Sequence, residues 1–67
     1  MTLKINGNSK EIEAEELDVA SLLNELGLAG KPVVVELNQE PVFPAEYETT
    51  SVNDGSSVEI VMIAAGG

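Results

Sequence analysis

The feature that most constrains this chain is the stretch Asp18 to Leu28. Val19, Leu22, Leu23 and Leu26 fall at i, i+3, i+4 and i+7, one apolar stripe on a helix. Asp18 stands where an N-cap belongs, because its carboxylate can accept from an otherwise unbonded N–H of the first turn. Gly27 stands where a left-handed C-cap residue belongs, with Leu28 beyond it as the accompanying apolar contact. The helix is short, so its stability has to come from packing that stripe on something else. No second amphipathic helix is readable in the 67 residues, so the surface opposite the stripe must be a sheet.

The strands follow from period-2 patterns. Thr2-Leu3-Lys4-Ile5 alternates, with Leu3 and Ile5 inward, and Asn6-Gly7 is a strong hairpin signal. Asn8 to Glu13 returns as a polar edge whose inward residue is Ile12, and its charge protects it from pairing with other chains. Val33 to Leu37 is rich in valine, with Val33, Val35 and Leu37 on one face and Val34 and Glu36 on the other. Asn38-Gln39-Glu40-Pro41 turns the chain into at most a short strand at Val42-Phe43. From Pro44 to Val52 there is no period, and Tyr47 and Val52 are the plausible anchors. Asn53-Asp54-Gly55 is a turn. Ser56 to Ile63 is the last strand, with Val58, Ile60 and Met62 alternating against Glu59, Val61 and Ile63. The helix acts as a crossover that lets the last strand lie beside the first. The fold class is α+β: a mixed sheet packed on one helix, which is a β-grasp roll. The expected core is Leu3, Ile5, Ile12, Val19, Leu22, Leu23, Leu26, Val33, Val35, Leu37, Val58 and Ile60.

Composition narrows the chemistry. There is no Cys and no His, so the chain offers no thiolate nucleophile, no imidazole base and no zinc or haem site of the usual kind. No glycine-rich phosphate loop is present, so ATP is not expected to bind here. The chain therefore reads as a non-enzyme. Three lysines against twelve acids give a net charge of −9, which opposes contact with nucleic acid or anionic membranes and serves either solubility or steering toward a basic protein surface. Glu11, Glu13, Glu15 and Glu16 read as a solvated face in preference to a cation site. Tyr47 reads as a core or rim anchor in preference to a catalytic acid. With no long apolar span and no basic-then-apolar start, a cytoplasmic location is expected.

The chain closes on Ala64-Ala65-Gly66-Gly67. Side chains no larger than a methyl let another protein's backbone close around such a stretch. Extended, four residues reach roughly 13 Å at ~3.3 Å each. The chain is thus expected to divide into a folded domain over 1–63 and a flexible tail over 64–67.

In order and at this length, several pieces resemble the bacterial sulfur carrier proteins of thiamin biosynthesis, which are ubiquitin-like. They are Ile5-Asn6-Gly7, Val19 to Leu28, Val35-Glu36-Leu37-Asn38, Asp54-Gly55, Val58-Glu59-Ile60-Val61 and Gly66-Gly67. The chain departs from that pattern at Gln39, where Gly is frequent, at Tyr47, where Trp is common, and at Ala64-Ala65. The resemblance implies a carrier that is a co-substrate of other enzymes. Gly67 would be the reactive residue, adenylated by an E1-like activating enzyme that uses ATP and Mg²⁺. A cysteine-derived persulfide would then supply the sulfur of a C-terminal thiocarboxylate. Gly66, Ala64 and Ala65 would thread the tail into partner sites, and a thiazole synthase would take the sulfur. The resemblance leaves open a molybdopterin-synthase-type sulfur carrier or a ubiquitin-like protein modifier. A non-catalytic interaction module is the reading of another class.

Pairing the two long strands antiparallel puts Val34, Val61 and Ile63 on the face away from the helix. Ubiquitin-like proteins commonly dock partners on such a patch. The alternative is incidental surface apolarity, which is common on any protein.

Overall fold

The computed structural model describes residues 1–63; the tail residues Ala64, Ala65, Gly66 and Gly67 lie outside the described residues. Strand β1 (Thr2–Ile5) turns at Asn6-Gly7 into β2 (Asn8–Glu11). Both turn residues have positive φ, 50° and 84°, the backbone of a type I′ turn that matches the twist of the flanking strands. The edge strand is shorter than expected from sequence, but the pairing goes one step further. The Ile12 N–H donates to the Met1 carbonyl at 2.8 Å, and Ile12 is buried.

Two-residue strand β3 (Leu17–Asp18) leads into the α-helix α1 (Val19–Glu25). Asp18 is the N-cap, its Oδ1 accepting from the Ser21 N–H at 2.7 Å. The helix ends in a Schellman motif: the Gly27 N–H donates to Asn24 and the Leu28 N–H to Leu23 (2.7 Å). Gly27 has φ +73°, a conformation that costs an L-residue its Cβ clearance and costs glycine nothing. Val19, Leu22 and Leu23 are buried, and Leu26 and Leu28 pack partly against the same cluster.

Strand β4 (Val33–Leu37) turns at Asn38-Gln39 into β5 (Glu40–Val42). A short 3₁₀ turn (Pro44–Glu46) and β6 (Ser51–Val52) precede the last strand, β7 (Ser57–Met62). The main sheet has the order β2-β1-β7-β4-β5. β1 and β7 are parallel and the other neighbours antiparallel, as expected when a helix carries the chain across before the last strand inserts. A second, two-stranded pairing joins β3 to β6 through Leu17↔Val52 and Asp18↔Ser51.

The architecture is the expected β-grasp: one helix held in the palm of a mixed sheet. All twelve residues assigned to the core from sequence either are buried or pack against the buried cluster. Leu17 and Val42, which the pattern did not assign, join them, as does Val52, expected only as an anchor. Val52 is 2% exposed. None of the described helices is long and apolar enough to cross a membrane.

Candidate functional site

β7 occupies the middle of the sheet and runs directly to the point where the described chain ends. Its alternation is plain: Val58 and Ile60 are buried under the helix, while Ser57, Glu59 and Val61 face the other way. On β4, Val35 is buried and Val34 and Glu36 are exposed. The antiparallel register makes Val34 the cross-strand partner of Val61 and Glu36 the partner of Glu59. The outer face therefore presents an apolar pair next to an acidic pair.

Val34 is 46% exposed and Val61 61%. Ile63, one residue past β7, is half-exposed, and its N–H donates to the Pro32 carbonyl at 2.8 Å, extending the β4–β7 ladder one rung. It also borders a cavity of about 400 Å³ on the helix side, with Leu23, Leu28, Val33 and Tyr47. The structure thus brings Val34 and Val61 together and sets Ile63 at the margin between the outer face and that cavity. Tyr47 packs partly against the core at the same margin, as a rim anchor would. Gly67 and the threading residues Ala64, Ala65 and Gly66 lie outside the described residues.

Phe43 was not assigned to this face from sequence. Val35↔Val42 is the last β4–β5 pair towards the chain end, so one further step in register puts Phe43 opposite Val34. It is 62% exposed, and its N–H donates to the Glu46 carboxylate at 3.1 Å, which fixes the backbone as it leaves the sheet. Phe43, one residue past β5, is thus placed by the register on the same face as Val34 and Val61. The signal was available in the sequence only to a reading that had already paired Val42 with Val35.

Two asparagines hold β7 where its neighbours turn away. The Asn6 N–H donates to the Val58 carbonyl (2.8 Å), and its side chain exchanges two further hydrogen bonds with Ile60. On the other side of β7, the Asn38 N–H donates to the Ser57 carbonyl (2.7 Å) and Asn38 Oδ1 accepts from the Ser57 N–H (2.9 Å). Each asparagine sits at the first position of a type I′ turn and uses its amide to continue a ladder the backbone has left. Asp54 does a related job at the start of β1, its Oδ1 accepting from the Thr2 N–H at 2.7 Å.

Among the described residues no group of three Asp or Glu side chains converges as a metal site. What the described residues offer is a central strand, β7, that ends at Met62, with an exposed apolar row beside it. The fold is that of a ubiquitin-like β-grasp domain. The ThiS family model matches residues 3–67, and the chain belongs to the ThiS family of sulfur carrier proteins. It is 33% identical over 63 residues to the sulfur carrier protein ThiS of Thermus thermophilus, covering 94% of this chain and 95% of that one. Over all 67 residues it is 42% identical to a thiazole synthase of Paramagnetospirillum magneticum, of which it spans a fifth of the length. The crystal structure of the thiamine biosynthesis protein ThiS from Geobacter metallireducens superposes with a TM-score of 0.87 at 38% identity, covering both chains completely. The solution structure of a thiamine biosynthesis protein from the same organism gives 0.83 at 39% identity, covering all of this chain and 88% of that one.

Proposed function

We propose that this protein carries sulfur for thiazole formation in thiamin biosynthesis as a thiocarboxylate on Gly67. The observation that carries the reading is that the family match runs through Gly66-Gly67 to residue 67, so it includes the stretch on which the chemistry would occur. The folded domain over 1–63 serves as a handle, and Ala64, Ala65 and Gly66 form a slim tether that partner sites can close around.

The steps follow from carboxylate chemistry. A carboxylate resists attack because its charge is delocalised and oxide is a very poor leaving group. A Gly67 carboxylate oxygen attacks the α-phosphorus of ATP, pyrophosphate departs, and AMP becomes the leaving group on the acyl carbon. Mg²⁺ and basic groups of the activating enzyme stabilise the phosphates. With no Cys in the chain, the sulfur nucleophile comes from elsewhere, as a cysteine-derived persulfide. One carboxylate oxygen leaves with AMP, the terminal persulfide sulfur takes its place as an acyl disulfide, and a second thiol of the donor machinery then attacks the cysteine sulfur of that S–S bond, releasing the thiocarboxylate and leaving a disulfide on the donor. The chain itself binds no ATP and no metal, and it works in the cytoplasm with no nucleic-acid or membrane partner.

Kinship with a thiazole synthase supports that class of enzyme as sulfur acceptor over a molybdopterin synthase. The patch of Val34, Val61 and Ile63, widened by Phe43, docks the partners while the tail enters their active sites.

The test is an intact-mass measurement. Incubation with ATP, Mg²⁺, the activating enzyme and a sulfur source should raise the mass by the difference between sulfur and oxygen, localised to Gly67. Removal of Gly67 should abolish the shift. If a competent activating enzyme leaves the mass unchanged, or the sulfur appears elsewhere, the carrier reading is wrong. An inert interaction module then takes its place.

A further inference from the structure

Glu36 on β4 and Glu59 on β7 stand directly opposite each other on the outer face, and both are exposed. Like charges in that relationship destabilise a sheet, where the Cβ atoms of opposed residues are only about 4.5 to 5.5 Å apart. The chain has three lysines. Lys4 shares this face, in register with Ser57. Lys10 pairs with Leu3 and so sits on the other face, and Lys31 lies in the segment before β4. On the same face, the next pair along these two strands is Val34↔Val61, with Phe43 one residue beyond the Val35↔Val42 pair. An exposed aromatic and two exposed valines thus lie one pair away from two opposed carboxylates.

We propose that Glu36 and Glu59 together grip one arginine of the activating enzyme, while Phe43 enters an apolar pocket beside that arginine. The identity of the partner rests on the carrier reading above; the chemistry of the contact rests on the register. A guanidinium presents five N–H donors in a planar fork, so one arginine can donate to both carboxylates at once. It is also weakly hydrated, so it suits an interface where an aromatic is being buried next to it, as an ammonium does not. Phe43 supplies the area: a buried aromatic removes about 150 to 250 Å² from water. A second copy of this chain does not fit the same surface, because face-to-face contact would bring four carboxylates together in a molecule of charge −9. The opposed pair costs stability in the free protein and is neutralised when the face is covered.

This makes two effects of opposite sign. In the full chain, Glu36→Gln with Glu59→Gln should raise the urea midpoint of the free protein. The same double variant should weaken the complex with the activating enzyme at least tenfold by calorimetry. Its affinity should also fall less steeply with added salt than that of the parent. Phe43→Ala should weaken the complex similarly while leaving the salt dependence as it is. Unchanged affinity and salt dependence in the double variant would overturn the proposal. So would a loss confined to the complex with a thiazole synthase, which would assign the arginine to the wrong partner. The parent protein's mass shift at Gly67 is scored separately. If the parent never gains sulfur, the carrier reading fails; if it does and the double variant binds and loads as well as the parent, only the arginine contact fails.

Discussion

The side-chain amide of Asn6 closes two hydrogen bonds on the backbone of Ile60, accepting from its N–H at 2.7 Å and donating to its carbonyl at 3.0 Å. β1 pairs with β7 through Lys4↔Ser57 and Ile5↔Val58 and then turns away. Without the amide, the next peptide of the sheet's middle strand would have no partner on that side. Asn6→Ala leaves both Ile60 groups unbonded in a part-buried place and should cost about 2 to 3 kcal/mol. Asn6→Asp should cost a similar amount, since a carboxylate keeps the acceptor but faces the Ile60 carbonyl without a donor. Urea denaturation read by far-UV circular dichroism measures both.

The second hairpin offers a gain. Gln39 has φ +71°, a left-handed conformation that glycine adopts freely and glutamine does not. Gln39→Gly should stabilise the domain by about 0.5 to 1 kcal/mol, because relief of the left-handed strain exceeds the added freedom of the unfolded chain. The same substitution at Glu40, the adjoining strand residue, should not stabilise. Thermal denaturation of the two variants side by side tests the contrast.

Leu23 anchors the helix from its last turn, 3% exposed and beneath the Schellman motif. Leu23→Ala should cost about 2 to 5 kcal/mol, a large part of the stability of so small a domain. A loss below about 1 kcal/mol would mean that the helix stripe does not carry the core.

On the outer face the expectation is reversed. Val61→Thr keeps a β-branched residue in the strand and exposes its hydroxyl to water, so folding should change by less than about 0.5 kcal/mol. If partners bury this row, the hydroxyl loses its water and binding should weaken by about 1 to 3 kcal/mol. Paired measurements of stability and of affinity for the activating enzyme decide it. A variant that unfolds would mean that Val61 supports the fold and not an interface.

Much of this was legible in the residues, because the strongest signals are local. Asp18 and Gly27 bound a helix whose stripe leaves one reading, and Asn6-Gly7 specifies a turn whose type fixes the register of the strands beside it. The parts that escaped are held by contacts distant in sequence. β3 and β6 have two residues each, too few for a period to show, and their place is set by long-range bonds such as Val19 N–H to the Thr50 carbonyl (3.0 Å). Val42 reads as at most a short strand between Pro41 and Pro44, and its burial follows only once Val35 is set opposite it. Asn6 and Asn38 announce turns; that their amides reach back to the last strand depends on where that strand lies, which no local pattern contains. The outer patch was half visible: strand parity gave Val34 and Val61, while Phe43 required the short edge pairing.

The central place of β7 also has a mechanical consequence. A partner that draws residue 63 into its own groove pulls along the axis of a strand bonded on both sides, β1 on one flank and β4 on the other. The load acts in shear on many hydrogen bonds at once, with those of Asn6 and Asn38 added, and does not peel an edge strand away one bond at a time. A fold that ended on β2 or β5 would unzip under the same traction; this one lets its end be gripped and tugged while the body behind it keeps its shape.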